Sequence, residues 1–139
     1  MIEPQLQLLI EYRLREAQET LREAQLLLNQ SALRGCINRC YYAMFYALLA
    51  LLAIKGLGNS KHSGVISLFD REFVKTGIFP KQLSKSLHRV FDERQAHDYG
   101  EMLQPDLPLT EELFKQAEIF VKEIKMYLVI IGFCLDEDF

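Results

Sequence analysis

The run from Cys40 to Ile54, CYYAMFYALLALLAI, constrains this chain more than any other feature, because fifteen consecutive residues carry no formal charge. A membrane span needs about 20 such residues, so the run is short for that purpose. Its Ala, Leu and Met favour helix, and a helix apolar on nearly every side is stable only when other elements cover it. The run therefore predicts a buried helix in the middle of a bundle, with amphipathic helices packed around it.

Those partners are legible on either side. From Pro4 to Leu28 the apolar residues Leu6, Leu9, Ile10, Leu14, Ala17, Leu21, Ala24 and Leu28 recur mostly every three or four positions, with charges between them, which predicts one long amphipathic helix. Ser31 is the expected N-cap of the central helix, which runs on through Ile54. Gly56, Gly58, Asn59 and Ser60 break the pattern. A third helix is expected from about His62 to Lys75, stopped by Gly77, and a fourth from Pro80 to about Ala96. After Gly100, Pro105 and Pro108, Thr110 is the expected cap of a last helix whose stripe includes Leu113, Phe114, Ala117, Phe120, Val121, Ile124 and Leu128. The expected fold is all-α: an up-and-down bundle of four long helices plus a shorter one, in a single domain over residues 1–139. The acidic tail Asp136, Glu137 and Asp138 is expected to fray.

Charge narrows the functional classes. The net charge is −3, with ten basic and four acidic groups over residues 31–97 but three and ten over residues 98–139. A basic middle can attract an anion, whereas the overall balance argues against broad, nonspecific DNA binding, which needs many cations. The three cysteines, Cys36, Cys40 and Cys134, read as small buried hydrophobes in a reducing compartment. No metal site or cofactor is expected, because a CxxxC pair without further ligands is incomplete. The charged, amphipathic start has no basic, signal-like segment, which points to a cytoplasmic protein. P-loop, zincin, thiol-redox and serine-hydrolase motifs are absent.

Three segments exceed what helix formation requires: Asn38-Arg39-Cys40-Tyr41-Tyr42-Ala43-Met44-Phe45, Lys61-His62-Ser63-Gly64-Val65 and Arg94-Gln95-Ala96-His97-Asp98-Tyr99. In type, order and spacing, over roughly residues 10–130, they resemble the small stand-alone branch of the HEPN family. That resemblance implies a helical bundle that often forms homodimers and is encoded beside a nucleotidyltransferase-like protein in toxin–antitoxin pairs. It also implies binding of RNA or a nucleotide, and in several branches a metal-independent endoribonuclease. The candidate residues it singles out are Arg94, His97 and Asp98 as catalytic groups. Asn38, Arg39, Tyr42, Lys61, His62 and Tyr99 are the candidate ligand-binding groups.

The chain departs from the catalytic signature of the active branches, an Arg followed after four to six residues by His. From Arg94 that spacing lands on Tyr99, Gly100 or Glu101, while His97 follows after two residues. Cleavage of RNA without a metal needs a base for the 2′-hydroxyl and an acid for the leaving oxygen, and imidazole suits both roles. Three readings therefore stand: a toxin-type protein acting on RNA or a nucleotide, a non-catalytic dimeric module that docks a nucleotidyltransferase-like partner, or a purely structural helical oligomer. Structural roles compete at each residue. Arg39 can pair with Asp98 or another carboxylate in the core, and Arg94 with Asp98 is an i,i+4 pair worth a few tenths of a kcal/mol. Tyr41, Tyr42 and Tyr46 fit core aromatics, and His88 fits a solvated helix face. Apolar residues near the C-terminus, Tyr127, Leu128, Ile130, Ile131 and Phe133, supply the expected dimer surface.

Overall fold

The computed structural model describes residues 2–100 and 104–135, and within them the chain is all-helical. The long helices are α1 (Pro4–Asn29), α2 (Leu33–Ala53), α4 (Lys81–Tyr99) and α5 (Leu107–Ile130), and the short one is α3 (His62–Phe69). A π-helical turn over Asp70–Val74 prolongs α3. The acidic tail and Glu101 fall outside the described residues.

Contacts along the long helices fix their directions. A three-residue turn folds α2 back on α1, Asn38 and Tyr42 of α2 meet Asp98 and Arg94 of α4, and Gln7 of α1 bonds the carbonyl of Cys134 beyond α5 at 2.7 Å. Long helices that follow one another in the chain are thus antiparallel, giving the up-and-down arrangement with α2 touching α1, α3, α4 and α5. By length and composition α2 could cross a membrane, yet Cys36, Ile37, Cys40, Tyr41, Ala43, Met44, Phe45, Ala47, Leu48, Ala50, Leu51 and Leu52 are all buried in the bundle. Other helices supply the apolar surroundings that such a sequence requires.

Helix ends correct three sequence expectations. Ser31 does not cap α2; it lies in the left-handed region (φ 58°) just past α1, with Ser31 N–H bonding Leu28 O at 3.0 Å and Ala32 N–H bonding Leu27 O at 2.8 Å. That is a Schellman end, usually made with glycine, and the short interhelix turn leaves Ser31 no room to serve both helices. The last helix begins at Leu107 rather than at Thr110. Asp106 is its cap, accepting from Leu109 N–H at 2.7 Å, Pro108 sits in the first turn, and buried Thr110 donates to Asp106 O at 2.8 Å. Pro108 is therefore part of the helix start instead of an interruption, as its missing N–H permits. The stretch expected as helix to Lys75 changes to π pitch at Asp70.

Cys36 and Cys40 are buried with their sulfurs 3.9 Å apart, whereas Cys134 is exposed. His88 is also not simply solvated. Its Nε2 meets Asp70 Oδ2 at 2.7 Å while Ser84 donates to the other carboxylate oxygen at 2.6 Å, tying α4 to the π turn.

Candidate functional site

Where α2, α4 and the start of α3 meet, polar side chains emerge from an otherwise apolar core. Asn38 and Tyr42 lie one turn apart on α2, and Arg94 and Asp98 one turn apart on α4, so antiparallel packing sets the pairs opposite one another. Arg94 Nε donates to Asp98 Oδ2 at 2.9 Å, and its Nη2 donates to the Tyr42 hydroxyl at 3.1 Å. Asn38 donates its amide to the same Asp98 oxygen at 2.9 Å and turns its carbonyl to Arg39, which donates from Nε at 3.1 Å and Nη2 at 2.9 Å. The result is a chain from Arg39 through Asn38 to Asp98 and Arg94. Arg39 does not pair with Asp98 directly; its carboxylate partner is Glu23 of α1, 3.7 Å from Nη1.

Aromatic rings enclose the cations. The Arg94 guanidinium carbon stands 5.2 Å from the centroids of Tyr41 and Tyr42 and 5.8 Å from that of Tyr99, while Arg39 stands 5.0 Å from Tyr42. Sharing the Tyr42 ring places the two cations within about 10 Å of one another. With side-chain exposures of 11% and 19%, Arg94 and Asp98 form a largely desolvated pair, unlike a free helix-surface pair. Tyr99 is 72% exposed, so one ring face is open to a ligand.

His62, the first residue of α3, joins this group from a third direction. Its Nδ1 is 2.9 Å from the Tyr41 hydroxyl, and its ring stacks on Phe45 at 4.1 Å. Burial, then the Arg94 guanidinium, hold the imidazole below its ordinary pKa, and burial raises the Tyr41 phenol well above the usual range. The start of α3 is fixed by Asn59, which accepts from Lys61 N–H at 2.9 Å and lies across Gly64, where an added Cβ would meet its side chain. Glycine is needed there for space.

The structure thus gathers Asn38, Arg39, Tyr42, His62, Arg94, Asp98 and Tyr99. Lys61 adjoins the group, its side chain exposed and without a partner among the described residues. His97 stands apart: it is 6% exposed, and its Nδ1–H donates to the carbonyl of Glu93 on its own helix at 2.8 Å. Sequence reasoning overlooked Glu23 and the role of Phe45. The spacing of Asn38, Tyr42 and Phe45 along one side of α2 was the available signal for Phe45. No signal pointed to Glu23, whose contact depends on how α1 packs.

Comparison with known proteins identifies the family. The HEPN domain matches residues 10–127. A Thermotoga maritima protein named "UPF0332 protein" is 45% identical over 117 residues, 84% of this chain and 89% of its own. Two Methanocaldococcus jannaschii proteins, "Putative toxin MJ0142" and "Putative toxin MJ0605", are 31% and 34% identical, covering 86% and 91% of this chain and 82% and 91% of their own. The bundle, the three segments and a match over most of the sequence lead to one conclusion: the chain belongs to the HEPN domain family.

Proposed function

We propose that this protein is the toxin-type member of a two-component pair and that it binds single-stranded RNA at the junction of α2, α3 and α4. The observation that carries the reading is the convergence of Arg39 and Arg94 on Tyr42, beside the open ring of Tyr99. Arginine forks suit phosphate oxygens, and an exposed tyrosine offers a face on which an unpaired base stacks. Arg94 is largely taken up by Asp98 and Tyr42, so it shapes the site, while phosphate contact falls to Arg39 and Lys61. Toxin names among relatives support the biological role.

Fluorescence anisotropy with a short single-stranded RNA tests this. Wild type should bind, with a log–log salt slope near about −1.4 for two phosphate contacts. Arg39→Ala should weaken binding about tenfold or more and make the slope shallower. Equal affinities for the two proteins, or no binding by either, would remove the reading.

A second reading keeps support from the absence of His at the signature spacing: a non-catalytic module docking a nucleotidyltransferase-like partner in the cytoplasm. Both readings include a homodimer. Leu128 and Phe133 are buried and unavailable for it, but Ile130 (77% exposed) and Ile131 are joined by exposed Leu8, Tyr12, Met126 and Val129 at the same end of the bundle. Sedimentation at a concentration-independent 16 kDa would exclude that dimer.

A further inference from the structure

We propose that His62, brought into the site by α3 rather than by the Arg94 segment, is the proton acceptor for cleavage of single-stranded RNA at its 2′-hydroxyl. The inference rests on the RNA reading above and assigns its missing base. Geometry favours His62 over the chain's other two histidines. His88 is engaged by Asp70 in the tie to the π turn, and His97 is buried against its own helix. His62 is partly exposed and shares the site's walls, its ring centroid lying 5.7 Å from Tyr41 and 5.8 Å from Tyr42, the same two rings that flank Arg94.

The ring is also held in place. Phe45 stacks on it, the Asn59 and Gly64 arrangement fixes the helix start, and Tyr41 occupies Nδ1. Nε2 is left without a partner among the described residues. A hydroxyl, unlike a carboxylate, can serve either tautomer, donating to Nδ1 or accepting from Nδ1–H. When it accepts, Nε2 carries the lone pair a base requires, and the ring keeps its orientation after taking up a proton. Burial and the neighbouring Arg94 favour the neutral ring at pH 7, and the imidazolium, once formed, gives up its proton readily.

The step balances without a metal or an oxidant. The 2′-oxygen bonds to phosphorus as its proton passes to Nε2, and the bond from phosphorus to the 5′-oxygen breaks. The leaving oxygen takes a proton from water, and the hydroxide produced accepts the proton held on His62. A 2′,3′-cyclic phosphate and a 5′-hydroxyl remain. In this scheme His62 touches the reacting hydroxyl and Tyr41 is a positioning residue.

The test incubates a short single-stranded RNA with the full-length protein in the presence of EDTA, while binding is followed separately by anisotropy. Wild type should yield cyclic-phosphate ends, and a 2′-deoxy substitution at the cleaved position should abolish them. His62→Ala should slow cleavage at least about 100-fold, change RNA affinity less than about threefold, and recover in part with added imidazole. Tyr41→Phe keeps the packed ring and loses the hydroxyl. It should slow cleavage about tenfold and move the pH profile, so the proposal stays testable if His62→Ala does not fold. His97→Gln, whose amide can still reach the Glu93 carbonyl, should cleave within a few-fold of wild type. Three results overturn the inference: wild type that binds RNA without cutting it, His62→Ala that cuts at the wild-type rate, or Tyr41→Phe with an unchanged rate and pH profile. Wild type that does not bind RNA overturns both the inference and the reading beneath it.

Discussion

Removing the Arg94 guanidinium should test the energetics of the polar cluster directly. Taken from sequence, Arg94 and Asp98 form an i,i+4 pair worth a few tenths of a kcal/mol. Packing changes that magnitude. The pair is mostly desolvated, Arg94 also donates to Tyr42, and three tyrosine rings lie within 6 Å of its guanidinium. Breaking a buried pair by deleting one partner costs about 3–5 kcal/mol, and a desolvated cation–π contact contributes up to about 2 kcal/mol. Residual exposure and the Asn38 amide, which still satisfies Asp98 after the change, reduce the loss. Arg94→Ala should therefore cost about 2–4 kcal/mol, lowering Tm by about 6–12 °C for a chain of this size. Urea titration of wild type, Arg94→Ala, Asp98→Ala and the double variant should give a coupling energy of about 1–3 kcal/mol. A cost below about 1 kcal/mol for Arg94→Ala, with no coupling to Asp98, would refute the reasoning, since that is how an exposed pair behaves.

Three further perturbations bear on the same account. Ser31→Gly should stabilise the protein by about 0.5–1 kcal/mol, because the left-handed turn after α1 strains an L-residue; a thermal melt unchanged or lowered contradicts this. Gly64→Ala should destabilise by about 1–2 kcal/mol by displacing the Asn59 side chain that accepts from Lys61 N–H just before the helix. In an Asn59→Ala background the same change should stabilise the helix start, since Ala is the better helix former; chemical denaturation that finds the same sign in both backgrounds sinks the idea. His62 has a folded-state pKa below its unfolded value of about 6.5. As pH falls through that value the unfolded chain takes up the proton first, so stability drops until the lower folded-state pKa is also passed. The His62→Gln protein should lack this part of the decline, and denaturation curves of equal steepness across that window would count against it.

The fold was legible because helix formation and burial are local patterns. The uncharged run around Tyr42 to Leu52 could only be a covered helix, and the stripes through Ile10, Leu14 and Ala17 and through Leu113, Phe120 and Ile124 announced what covers it. Helix ends were harder to read, since several residues compete for each cap. Ser31 and Asp106 took opposite roles at two helix junctions because of turn length, which composition does not encode. The three segments of the site were visible in sequence, but their partners were not. Arg39 reaches Asp98 through Asn38 instead of directly, and His97, beside Arg94 in sequence, turns back onto its own helix while His62, thirty-two positions upstream of Arg94, faces the cluster. Such relations depend on how helices pack, so no single segment carries them.

The central claim, a toxin-type protein acting through the Arg39, Tyr42 and Tyr99 surface, is tested most directly by growth. Wild type and an Arg39→Ala/Tyr99→Ala double variant should be induced to equal levels in a bacterial host, with matched melting curves as the control for folding. The account predicts growth arrest by wild type and normal growth with the double variant. Normal growth with both, or equal arrest by both, would contradict it.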